Sequence, residues 1–155
     1  MNGVDERRSV AQKVWRGPPV GDSMGASDRL MNGAVVTKTV CVIEDDELVR
    51  SRLADMLREV GHTVFEAESA DRGIDLIRTE KADVAVVDIL MPDRDGLEAI
   101  GQLRRTRPDL RIVAISGGGR VSPQIYLDLA KQIGADASLT KPIEQADLEK
   151  AVDGG

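Results

Sequence analysis

Five short runs, most of them rich in Val and Ile, recur along this chain, and a segment of helical apolar spacing follows each one. This alternation constrains the fold more than any other feature. The runs at 37–43, 63–66, 83–87, 111–115 and 137–140 read as strands, several of them apolar enough to be buried on both faces. Between the first two, residues 47–60 place Val49, Leu53, Met56, Leu57 and Val60 on one helical face, and Gly61 closes the segment. Ser69 can cap a second helix that runs to about residue 79 with Ile74 and Ile77 inward. A third helix spans 96–105 and stops before Pro108. Ser122-Pro123 opens a fourth that Gly134 ends, and 144–152 form a short fifth. Strands alternating with helices imply a doubly wound α/β fold: a five-stranded parallel sheet with helices on both faces.

At 155 residues the chain suits one domain with a real core and is too short for two of ordinary size. Aromatics are scarce, so Val, Ile, Leu, Ala and Met must build that core. The formal net charge of −6 argues against direct DNA binding by general phosphate attraction. The single cysteine, Cys41, rules out an internal disulfide. No apolar run approaches membrane-spanning length, and the N-terminus lacks a signal-peptide stretch, so a cytoplasmic protein is expected. Residues 1–36, with five scattered glycines and Pro18-Pro19, read as a flexible, mostly disordered arm. The alternative there is a short helix at 6–16 that docks Trp15 on a partner. The arm holds five basic and four acidic residues, which leaves 16 basic against 23 acidic in 37–155. The acid therefore belongs to the folded body, which the alternation carries to the end of the chain with no output domain expected.

In an open α/β sheet, ligands bind beyond the carboxyl ends of the strands, near the switch in strand order. The first strand runs into Glu44-Asp45-Asp46, the third into Asp88, the fourth into Ser116 and three glycines, and the fifth into Lys141-Pro142. Only the second ends without a distinctive polar cluster, and the order 2-1-3-4-5 puts it at the edge, farthest from such a site. Several carboxylates at one rim repel one another unless a cation is present. Mg²⁺ suits them, because it takes oxygen ligands and needs only one or two carboxylates. Asp88 would then be both ligand and nucleophile toward a phosphoryl group, with Lys141 supplying positive charge and Ser116 a hydroxyl donor. Pro142 would keep Lys141 extended, at a bond where a cis peptide is cheap. Singly, each feature has a plain structural reading: a helix N-terminus for the acidic run, a turn for Asp88, a loop for Ser116-Gly117. Their placement at four strand ends favours a site.

With those pieces assembled, the chain resembles the receiver domain of two-component response regulators, a flavodoxin-like (βα)5 fold. The matching segments are 40–46, 86–93 with Gly96, 115–117, and Lys141-Pro142, within a body of about 37–152. The resemblance implies that Asp88 is the phosphoacceptor and Glu44 with Asp45 the acidic pair. Asp45 would be a direct Mg²⁺ ligand, the backbone carbonyl of Leu90 a further one, and Asp46 a helix-start residue. It assigns Ser116 to the hydroxyl switch and Lys141 to the family's lysine. The donor would be a histidine kinase or a histidine phosphotransfer protein, and the receiver would catalyse only its own phosphorylation and dephosphorylation while switching an unidentified downstream protein.

One departure matters. Many receivers carry an aromatic three residues before the lysine, and here that position is Ser138. A muted or rerouted conformational change is expected, read through the 116–122 loop and the helix bearing Tyr126. Among rivals, a dehalogenase-type phosphatase needs a second aspartate where Leu90 stands, and the one histidine, His62, follows a helix-ending glycine and reads as a surface turn rather than a phosphodonor. No Walker or dinucleotide glycine motif is present. A phosphorylation-independent interaction module is the remaining alternative, although such modules have usually lost an acidic or lysine position. Arg104, Arg105, Arg107 and Arg111 read as a solvated basic face or a docking patch for an acidic partner.

Overall fold

A computed structural model describes residues 36–91, 96–117 and 122–154. The expected arm lies outside the described residues up to residue 35, as do Pro92, Asp93, Gly118 and Gly119. The elements alternate as β1 (Thr39–Ile43), α1 (Glu47–Glu59), β2 (Thr63–Ala67), α2 (Ala70–Thr79), β3 (Val84–Asp88), α3 (Gly96–Thr106), β4 (Arg111–Ser116), α4 (Pro123–Ile133), β5 (Ala137–Thr140) and α5 (Gln145–Asp153). All four pairings are parallel, and the strand order is β2-β1-β3-β4-β5.

Local chemistry sets the boundaries. Asp46 caps α1 by accepting from the Val49 N–H, Ser69 caps α2 through the Arg72 N–H, and Ser122 caps α4 through the Gln124 N–H. Pro123 sits in the first turn of α4, and Gly134 ends that helix. Strand ends move by a residue or two from expectation. β1 begins at Thr39, while β3 and β4 each extend one residue further, to Asp88 and Ser116. Asp88 and Ser116 therefore belong to the last rungs of the sheet, while Glu44, Asp45 and Lys141 lie just beyond it.

The two-residue period of the strands divides the core. Cys41, Ile43, Ala85, Val87, Ile112 and Ala114 pack against Leu76 and Ile77 of α2, Ile100 and Leu103 of α3, and Leu127 and Ala130 of α4. Val40, Val42, Val84, Val86, Val113 and Ile115 face the other way, onto Leu53 and Leu57 of α1 and Leu148 and Val152 of α5. Ile77 is buried and Ile74 packs at its edge, as the helical spacing implies.

Two readings need correction. His62 is 1% exposed rather than at a surface turn. Its Nδ1 accepts the Lys38 N–H at 3.0 Å, and its Nε2 lies 3.8 Å from Asp153 Oδ1, so the ring joins the start of β1 to the end of α5. The arginine group is not a free basic face. Arg104 donates to the carbonyls of Pro108, Leu110 and Gly134 and pairs with Asp136; Arg107 donates to Ala82 O; Arg111 donates to Ala151 O. These side chains satisfy carbonyls where helices end and strands begin. Arg105 alone of the four is exposed.

Burial pushes the Cys41 thiol up to about 12, with the charge of Arg72 only partly opposing it. The native state thus keeps a proton that the unfolded chain releases near pH 9. Stability from this group is complete below that pH and declines as pH rises toward the folded value. Urea midpoints measured from pH 8 to 11 are expected to fall more steeply for wild type than for Cys41→Ala.

Candidate functional site

The register that builds the core also brings four strand ends together. Asp88 pairs with Ile115 at the end of β3, and Ser116 pairs with Thr140 at the end of β4. Glu44 follows β1 directly, and its N–H donates to Ala67 O of β2. Lys141 follows β5 and donates its backbone N–H to Ser116 O at 2.9 Å.

The side chains converge. One carboxylate oxygen each from Glu44, Asp45 and Asp88 lies within 4.8 Å of the others. Glu44 and Asp88 are buried and Asp45 is exposed. Lys141 Nζ stands 2.7 Å from Glu44 Oε1 and 3.4 Å from Asp88 Oδ2. Asp88 Oδ1 also accepts the Leu90 N–H at 3.1 Å. The peptide between Lys141 and Pro142 is cis. Ser116 Oγ is buried without a hydrogen-bond partner among the described residues. An unpartnered buried hydroxyl costs ~1–3 kcal/mol, a cost that an incoming acceptor oxygen would relieve.

Charge balance follows from this geometry. Burial pushes the Glu44 carboxyl up to about 7; Lys141 pulls it down, and the charge of Asp88 adds to the rise. Burial disfavours the Lys141 ammonium, yet the two carboxylates outweigh it and hold the lysine above its ordinary value. Lys141 is thus a charged counter-ion to a crowded acidic site. The all-oxygen donor set, with two carboxylates buried and one open to solvent, fits a hard divalent cation.

Glycines make the close approaches possible. A Cβ on Gly117 would lie 2.3 Å from Lys141 Cβ, so the lysine stem crosses the strand end only because that position is bare. A Cβ on Gly96 would meet the Asp88 carbonyl oxygen and Ile89 Cα, each at 2.4 Å. Both are backbone atoms and cannot swing aside.

The structure brings Glu44, Asp45, Asp88, Leu90, Ser116, Lys141 and Pro142 to one end of the sheet, and Asp46 is the helix cap that the sequence suggested. Ser138 and Tyr126 lie apart from this group. Ser138 is half-buried and pairs with Ala114, and Tyr126 packs at the edge of the core under α4. Sequence reasoning missed Arg50, whose Nη1 donates to the Glu44 carbonyl at 2.9 Å. Its signal was a basic residue on the face of α1 that Leu53 and Leu57 turn inward.

A parallel five-stranded sheet of this order, with an acidic trio and a lysine at its carboxyl end, defines a receiver. The response regulator receiver domain model matches residues 40–153, and the chain belongs to that family. Glu44, Asp45 and Asp88 form the clustered acidic site typical of receiver-domain phosphoacceptors, a family that catalyses only its own phosphorylation and dephosphorylation. The chain is 33% identical over 123 residues to the transcriptional regulatory protein PdtaR of Mycobacterium tuberculosis, covering 77% of this chain and 57% of that one. It is 35% identical over 109 residues to the response regulator MprA of Mycolicibacterium vanbaalenii, covering 70% and 46%. The chain thus spans about half the length of these curated relatives. A receiver domain protein from Clostridium thermocellum superposes with a TM-score of 0.70 at 23% identity, covering 77% of this chain and 93% of that one, and shows the shared fold. Among the described residues no helix is long and apolar enough to cross a membrane.

Gly96→Ala is expected to destabilise the domain by about 1–3 kcal/mol, because backbone must move to admit the methyl group. Urea unfolding checks the stability, and a slower reaction with acetyl phosphate checks the accompanying shift at Asp88.

Proposed function

We propose that Asp88 accepts the phosphoryl group, within a receiver body of residues 37–155 that takes it from a histidine kinase or a histidine phosphotransfer protein. The observation that carries this reading is the ammonium of Lys141 held between Glu44 and Asp88, beside the unpartnered hydroxyl of Ser116. A carboxylate oxygen of Asp88 forms the new bond to phosphorus as the P–N bond to the donor imidazole breaks. Lys141 neutralises charge on the transferred group, and the Ser116 hydroxyl donates to one of its oxygens. Mg²⁺ is the cation of choice, with Asp45, Asp88 and the Leu90 carbonyl as ligands and Glu44 beside them, and it supplies charge neutralisation at the phosphoryl oxygens.

A cavity of about 580 Å³, lined by Val49, Leu53, Met56 and Ile143 among others, opens beside Lys141 and suits the donor's approach. Leu48, on the first turn of α1, is 82% exposed and adds apolar surface next to the acidic trio. With Ser138 in place of an aromatic, the phosphorylated state is read through Ser116, the segment that follows it and the α4 helix bearing Tyr126. The output is a change in binding to a downstream protein, within the cytoplasm and without direct DNA contact.

Intact-mass measurement after acetyl phosphate and Mg²⁺ tests the acceptor. Wild type gains one phosphoryl group and Asp88→Ala gains none; no gain in wild type would favour a phosphorylation-independent binding module. Amide shifts on adding beryllofluoride in the same buffer should concentrate along α4 and stay small at Ser138, and a dominant response at Ser138 would overturn this routing.

A further inference from the structure

The strand end that the sequence left without a role, that of β2, reaches the site through an arginine. Glu66, on β2, pairs with Val42 in register and presents its carboxylate to α1. Its Oε1 lies 3.4 Å from Arg50 Nε, and its Oε2 lies 3.1 Å from Arg58 Nη1. Arg58 is anchored in turn by donating Nη2 to Val64 O at 3.0 Å. The far end of the Arg50 guanidinium, Nη1, donates to the carbonyl of Glu44 at 2.9 Å. Its side chain is only 16% exposed, well below what a solvated lever would show.

The target of that bond matters. Glu44 is the last residue before the turn that carries Asp45. On one side its N–H is held by Ala67 O at 3.0 Å, and on the other its Oε2 accepts the Asp46 N–H at 3.1 Å. Asp46 is itself fixed as the cap of α1. The remaining freedom is rotation of the Glu44–Asp45 peptide, and Arg50 restrains that peptide by its oxygen. Asp45 is the exposed member of the trio, and its direction follows the peptide before it.

We infer that Arg50 is a positioning residue, aligned by Glu66, which aims Asp45 and Glu44 at the divalent cation required by the phosphoacceptor reading on which this inference rests. A simple charge effect has the opposite sign. A guanidinium beside an acidic site repels a cation, so a purely electrostatic Arg50 would weaken metal binding and its removal would strengthen it. A plain α1–β2 ion pair would be worth at most ~1 kcal/mol of stability and would leave metal binding alone. Outer-shell partners that orient metal ligands typically change affinity by about 10–100-fold when removed.

The test is the Mg²⁺ dependence of phosphorylation by acetyl phosphate, followed by intact mass, with urea unfolding of each variant alongside. Arg50→Ala should raise the half-saturating Mg²⁺ concentration by about tenfold, while the rate at saturating Mg²⁺ stays near wild type. Arg50→Lys, which keeps a donor for the Glu44 carbonyl but not the fork that Glu66 holds, should recover part of the loss. Glu66→Gln leaves the Arg50 bond in place while loosening its alignment, and should shift half-saturation in the same direction by less. If Arg50→Ala is too unstable to assay, the Glu66→Gln shift decides. Half-saturation equal to or lower than wild type in these variants overturns the inference while leaving the phosphoacceptor reading intact. A wild type that takes no phosphoryl group at saturating Mg²⁺ removes both.

Discussion

The structure depends on holding three carboxylates together at one rim. Glu44, Asp45 and Asp88 offer oxygens within 4.8 Å of one another. At an effective dielectric of about 20, two unit charges roughly 5 Å apart repel by ~3 kcal/mol, so the group cannot persist fully ionised without a counter-charge. Lys141 provides it, 2.7 Å from Glu44 and 3.4 Å from Asp88. The protein meets the cost of this arrangement with local devices: the bare backbone of Gly117 under the lysine stem, the bare backbone of Gly96 against Asp88, and the Arg50 bond behind Glu44. The same crowding makes the site receptive to a divalent cation and to a phosphoryl group that Lys141 and Ser116 can hold.

The sheet makes the convergence reproducible. Alternate residues of β1, β3 and β4 pack into two separate cores, so a slip of one residue would exchange the two buried faces and set each side chain into the core shaped for the other. Register is thereby fixed by burial far from the site. The carboxyl ends of β1, β3, β4 and β5 arrive together, and Lys141 ties them through Ser116, Glu44 and Asp88. β5 is the most open strand, half-buried over Ala137–Leu139, and the lysine follows it. The counter-charge of the site thus follows directly on the least buried strand.

The fold was legible because periodicity is a backbone property. Runs such as 83–87 and 111–115 read as buried strands from composition alone, and Ser69, Ser122 and Gly134 marked helix ends by known chemistry. The site was legible because doubly wound sheets put ligands at strand ends, which turned an ordinary acidic run, an isolated aspartate and a Lys-Pro pair into one constellation. What stayed hidden was polar satisfaction across long sequence separations. His62 reads as a turn residue until the Lys38 N–H is seen on its Nδ1. Arg104 reads as surface charge until three carbonyls are found around it. The end of β2 reads as silent until Glu66 is seen aligning Arg50. The pairs Lys38–His62, Arg104–Gly134 and Arg50–Glu66 share no periodic relation that a linear scan could detect.

The central claim, that Glu44, Asp45 and Asp88 form a divalent-cation site at the carboxyl end of the sheet, is tested most directly by Mn²⁺. This ion prefers the same oxygen donors as Mg²⁺ and broadens nearby amide resonances. Titrating it into isotopically labelled protein should broaden first the amides of Glu44, Asp45, Asp88 and Leu90, and spare those around His62 and the end of α5. Broadening centred elsewhere, or none at these four positions, would contradict the account.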